Sequence, residues 1–67
     1  MDREEVMKVI KKAESIENSA IMINKMIIEF KLMKAVYDKA FVAFYSKETN
    51  KLLFLTWYDY INSIEVI

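Results

Sequence analysis

The chain has 67 residues, 55% of them hydrophobic, with ten basic and ten acidic side chains and no His, Cys, Gly or Pro. Without His or Cys, a Ser-His-Asp triad, a thiol nucleophile and the usual nitrogen and sulfur zinc ligands are excluded. Without Gly there is no phosphate-cradling loop, and a formal charge of zero lacks the basic excess of a dedicated nucleic-acid binder.

So short a chain forms one domain, residues 1–67, and a domain near this size buries only about 60% of the surface its unfolded chain exposes. Small domains need a staple: a disulfide, a metal or a partner subunit. Composition removes the first two, so the apolar excess predicts a homo-oligomer, in the first instance a dimer. The start, Asp2-Arg3-Glu4-Glu5, lacks a signal-peptide pattern. The longest apolar run, Ala40 to Tyr45, falls far short of the ~18 residues of a membrane span. A cytoplasmic protein with no membrane span is the expectation.

Asp2 followed by Glu5 reads as a capping-box variant. From there Val6, Val9, Ile10, Ala13 and Ile16 recur at helical spacing, with Glu4 and Lys8 as an i, i+4 pair. This predicts a first amphipathic helix, ending near Asn18-Ser19. A second helix is expected from Ala20 to about Lys39, with Ile23, Met26, Ile27, Phe30, Met33 and Tyr37 on its apolar face. Met26 to Leu32 alternates as a strand would, but Met, Leu, Lys, Ala and Glu favour helix. A heptad frame supports the helical reading. Its a positions are Val6, Ala13, Ala20, Ile27, Lys34 and Phe41, and its d positions are Val9, Ile16, Ile23, Phe30, Tyr37 and Phe44. Lys34 is the one polar residue among them, and the e positions Glu17, Asn24, Lys31 and Asp38 are polar, as at a coiled-coil flank.

Residues 40–67 carry few charges (Lys47, Glu48, Lys51, Asp59 and Glu65) and most of the aromatic residues. Phe41 to Ser46 and Leu52 to Trp57 flank Lys47-Glu48-Thr49-Asn50-Lys51. Asn50 can take the left-handed position of a turn, so a β-hairpin is expected. Leu53, Trp57, Tyr60, Ile64 and Ile67 also fit helical spacing. The combined reading ends the second strand near Thr56, which caps a short helix through Ile64. The predicted fold is α+β, two helices packed on a β-hairpin with a short C-terminal helix. The alternative is an all-α helical hairpin or coiled-coil-like bundle.

No constellation carries chemistry. Glu14 and Glu17, one turn apart, could bind a hard cation, but a solvated helix face explains them. The expectation is a non-enzyme with no catalytic, cofactor or metal site. Met22, Met26 and Met33 fit core or a partner groove. The aromatic residues Phe41, Phe44, Tyr45, Phe54, Trp57, Tyr58 and Tyr60 fit core and interface. Tyr58 and Tyr60 cannot both face inward with Trp57. The candidate interface residues are Ile27, Phe30, Met33, Tyr37, Trp57, Tyr58 and Tyr60. The expected function is a small protein–protein interaction module, a homo-oligomer that regulates or inhibits another protein stoichiometrically, of the kind phages and mobile elements encode. The alternative is a dimeric nucleic-acid-binding regulator using Lys8, Lys11 and Lys12 or the hairpin lysines. A weaker third is a peripheral membrane-surface protein.

Overall fold

The computed structural model describes residues 1–30 and 33–67. It has one α-helix, α1 (Arg3–Glu14), and six strands: β1 (Ala20–Ile23), β2 (Met26–Glu29), β3 (Met33–Tyr37), β4 (Phe41–Ser46), β5 (Leu52–Trp57) and β6 (Ile64–Val66). A single 3-10 turn, Tyr58–Tyr60, precedes β6. The fold is therefore mostly β, which corrects both the two-helix α+β expectation and the all-α alternative.

α1 starts where its capping chemistry directs. The Asp2 carboxylate accepts from the Glu5 backbone N–H at 2.9 Å and satisfies a donor that the first helical turn leaves free. Val6, Ile10 and Ala13 lie on one face and are fully buried. The helix ends at Glu14, so Ile16 lies beyond it and is exposed. Asn18 turns the chain with a positive φ of 59°. The buried Ser19 hydroxyl donates back to the Ala13 carbonyl, which also accepts from the Ile16 backbone N–H at 3.1 Å.

Among the described residues no second α-helix follows. Ile23 and Met26 face each other across a two-residue turn, Asn24-Lys25, with both residues at positive φ (48° and 72°). That is the requirement of a type I′ hairpin turn. Ile21 pairs with Ile28 on the inner face of this hairpin, and Met22 pairs with Ile27 on the outer face. The heptad pattern thus mixes residues from both faces of two short strands. Met22, Met26 and Met33 sit on strands rather than along a helix. Lys31 and Leu32, which both the helical and the strand reading of this stretch include, lie outside the described residues.

All pairings are antiparallel. One sheet has the order β2-β1-β6, the other β3-β4-β5. The chain passes from the first sheet to the second between β2 and β3, then returns through the 3-10 turn to lay β6 beside β1. The predicted hairpin is β4–β5. Asn50 takes the left-handed conformation (φ 62°), and its N–H donates to the Ser46 carbonyl at 2.9 Å. The expected C-terminal helix is reduced to the 3-10 turn. Thr56 lies within β5 and caps nothing, and Ile64 begins a strand.

The core lies between the two sheets and under α1. It joins Val6, Ile10 and Ala13 to Ile21, Ile23, Ile28 and Phe30 of the first sheet region and to Val42 and Phe44 of the second, with Tyr58 and Ile61 from the return. Phe44 is the largest fully buried side chain. Its ring centroid lies 6.4 Å from that of Phe30 and 6.0 Å from that of Phe54, spacings at which aromatic pairs attract.

Candidate interaction surface

A three-stranded sheet has two faces, and only one of them covers this core. In β3-β4-β5, Val42 and Phe44 point inward with Ala35, Tyr37 and Phe54 packed beside them. Side chains alternate along a strand, so their neighbours in sequence form the opposite face. The cross-strand register aligns Val36, Ala43 and Leu55 in one row and Phe41 with Trp57 in the next. Ala43 is only 1% exposed although it faces outward, because larger side chains surround it. Val36 (48%), Leu55 (36%) and Trp57 (47%) remain open to solvent.

This outer face is apolar except at Lys34, which pairs with Tyr45 at the β3 edge and donates to the Asn50 side chain. The Phe41 and Trp57 rings meet edge to face at 5.4 Å and 73°. Between Phe44 and Tyr45 the register shifts, leaving Leu53 unpaired in a β-bulge. Both Leu52 and Leu53 are consequently exposed. Half-buried Tyr45 completes the patch. The five exposed aliphatic and aromatic side chains present roughly 400–500 Å² of apolar area, the size of the largest patch on a soluble domain, which is often a functional one.

The outer face of the other sheet is smaller and mixed. Met22 and Ile27 share it with Glu29 and Glu65.

The structure scatters the sequence-derived interface candidates. Trp57 lies on the outer face just described. Ile27 is exposed on the first sheet, and Tyr60 is 70% exposed in the 3-10 turn. Phe30 and Tyr58 are core side chains, and Met33 and Tyr37 pack against the core from the inner face of β3. Tyr58 is the inward member of the tyrosine pair. Its hydroxyl donates to the Asp38 carbonyl at 2.9 Å, which also accepts from Arg3 Nε at 3.1 Å. Burial pushes the Tyr58 phenol above the ordinary tyrosine value, with Arg3 opposing. The Tyr37 hydroxyl donates to Glu14 Oε1 at 3.3 Å. Burial first, then the Glu14 charge, drives its pKa upward.

Sequence reasoning missed Val36, Phe41, Tyr45, Leu53 and Leu55 as one surface. The signal is the alternation Phe41-Ala43-Tyr45 against Leu53-Leu55-Trp57, apolar on both faces of each strand. A half-buried strand alternates apolar with polar, so a sheet apolar on both sides implies two buried faces.

The lysines proposed to meet phosphate are partly engaged within the fold. Lys47 Nζ donates to the Phe30 carbonyl at 2.6 Å, and Lys11 Nζ lies 5.9 Å from the Tyr37 ring centroid. Among the described residues, no group of three or more acidic side chains could hold a metal ion, and no helix is long and apolar enough to cross a membrane. Comparison with family models, with curated proteins and with solved structures finds no match to this chain.

Proposed function

We propose that this protein is a small, non-catalytic interaction module of the cytoplasm that works as a homo-oligomer and regulates another protein by occupying part of its surface. The observation that carries this reading is the outer face of β3-β4-β5, where Val36, Leu55 and Trp57 lie open around the closed floor of Ala43. Leaving such a face in water costs roughly 25 cal/mol per Å² relative to covering it. A surface rich in aromatic and aliphatic anchors with few charges is what interface centres look like.

The test uses Val36, which lies on β3 at the side of the sheet away from β5. The full chain and its Val36→Lys variant are compared for capture of interacting proteins from cells of the source organism. The reading expects a partner held at a fixed stoichiometry by the wild type and lost, at least about tenfold, by the variant. Retention of the same partner by Val36→Lys overturns it, provided both proteins give the same far-ultraviolet spectrum.

A further inference from the structure

We propose that two copies of the chain pair antiparallel through β5, about a two-fold axis at Leu55, joining two three-stranded sheets into one sheet of six strands. The proposal rests on the homo-oligomeric reading above and supplies its geometry.

β5 is an edge strand, paired with β4 on one side only. The direction of its free backbone groups follows from one hydrogen bond. The Tyr58 N–H donates to the Ala40 carbonyl at 3.0 Å, and this pair continues the register in which Val42 faces Thr56 and Ala43 faces Leu55. Hydrogen-bonded and non-hydrogen-bonded pairs alternate along an antiparallel ladder. Thr56 and Phe54 therefore turn their N–H and C=O toward β4. Leu55 and Trp57 turn theirs outward, to the open edge. A copy of β5 placed with Leu55 opposite Leu55 meets outward-pointing groups on both sides, the arrangement of a hydrogen-bonded pair.

The same axis sorts the side chains. Leu53 of each copy falls opposite Trp57 of the other, so the outer apolar faces become continuous. Lys51 precedes β5 and Asp59 lies in the 3-10 turn that follows it, so antiparallel pairing sets the basic end of each strand beside the acidic end of the other. Between those two residues β5 carries no charge and no proline, the devices that keep edge strands apart. The bulge at Leu53 confines regular pairing to the stretch from Leu53 to Trp57. Such an edge contact is smaller than the about 800 Å² per partner of a standard interface, so a weak, concentration-dependent association is expected. The joined outer faces stay open for the partner protein.

Sedimentation equilibrium of the full chain from about 1 to 500 µM reads the association constant. The wild type is expected to pass from the 8.0 kDa monomer to twice that mass. Leu55→Pro removes an N–H that the monomer leaves unused and blocks the ladder, so it should weaken dimerisation at least about tenfold. Lys51→Asp alone should weaken it several-fold, and Lys51→Asp with Asp59→Lys should restore it. A wild type that stays monomeric throughout overturns the proposal, as does a dimer indifferent to both Leu55→Pro and the charge reversal. If Leu55→Pro does not fold, the reversal and its restoration decide alone. Val36→Lys leaves the β5 edge intact, so loss of partner capture there and loss of pairing here are separate failures.

Discussion

The Asn24 carboxamide donates to the Tyr60 carbonyl at 2.7 Å and so ties the turn of the first hairpin to the 3-10 turn that returns the chain to it. Its Oδ1 accepts from the Asn62 and Ser63 backbone N–H groups at 2.8 and 3.2 Å. One side chain thereby satisfies three backbone groups in the segment that aims β6 at β1. Each such bond contributes about 0.5–1.5 kcal/mol, and Asn tolerates the left-handed backbone here better than Ala. Asn24→Ala should therefore lower unfolding free energy by about 2–3 kcal/mol. Urea denaturation checks this, and a loss below about 0.5 kcal/mol would show that the three bonds are not stabilising.

Lys25 is strained where Asn24 is suited. A side chain with a Cβ at positive φ costs about 1–2 kcal/mol, part of which Gly recovers. Lys25→Gly is expected to raise stability by about 0.5 kcal/mol in the same titration. A destabilised variant would mean that the lysine makes a compensating contact.

These two residues also show why the middle of the chain misreads. A type I′ turn is normally announced by Asn-Gly or Asp-Gly, and this chain has no Gly. With the turn hidden, β1 and β2 merge into one apolar run, and Ile23, Ile27 and Phe30 fit a heptad as well as they fit strands. Met, Lys and Ala then tilt local propensity toward helix, which sheet pairing overrides. α1 was legible because its signals are local: the Asp2 cap and the stripe of Val6, Ile10 and Ala13. So was the β4–β5 hairpin, through Asn50. The outer face was not. Which side of a doubly apolar strand is covered depends on partners distant in sequence.

Tyr37 gives the fold an alkaline limit. Its folded pKa is raised by burial and then by Glu14, so the folded state holds the phenolic proton more tightly than the unfolded chain. That contribution to stability is complete below about pH 10, the ordinary tyrosine value. It is lost as pH rises from there toward the folded pKa. Thermal unfolding should show a melting temperature that falls more steeply above pH 10 in the wild type than in Tyr37→Phe. Equal slopes would remove Tyr37 from the account.

Phe44 lies between Phe30 and Phe54 at the centre of the core. Truncation of a buried Phe costs about 3–5 kcal/mol, comparable with the whole stability of a domain this small. Phe44→Ala should be unfolded or molten at 25 °C, with near-ultraviolet circular dichroism lost. A cooperative melt close to that of the wild type would contradict the core assignment.

The chain holds a single tryptophan, and Trp57 stands on the outer face at the β5 edge. Its fluorescence therefore reports the central claim, that this face is covered when the protein works. Acrylamide quenching of Trp57 should fall several-fold and its emission should shift to shorter wavelength on association with a captured partner. A complex established by mass, with quenching and emission unchanged, would place the working surface elsewhere.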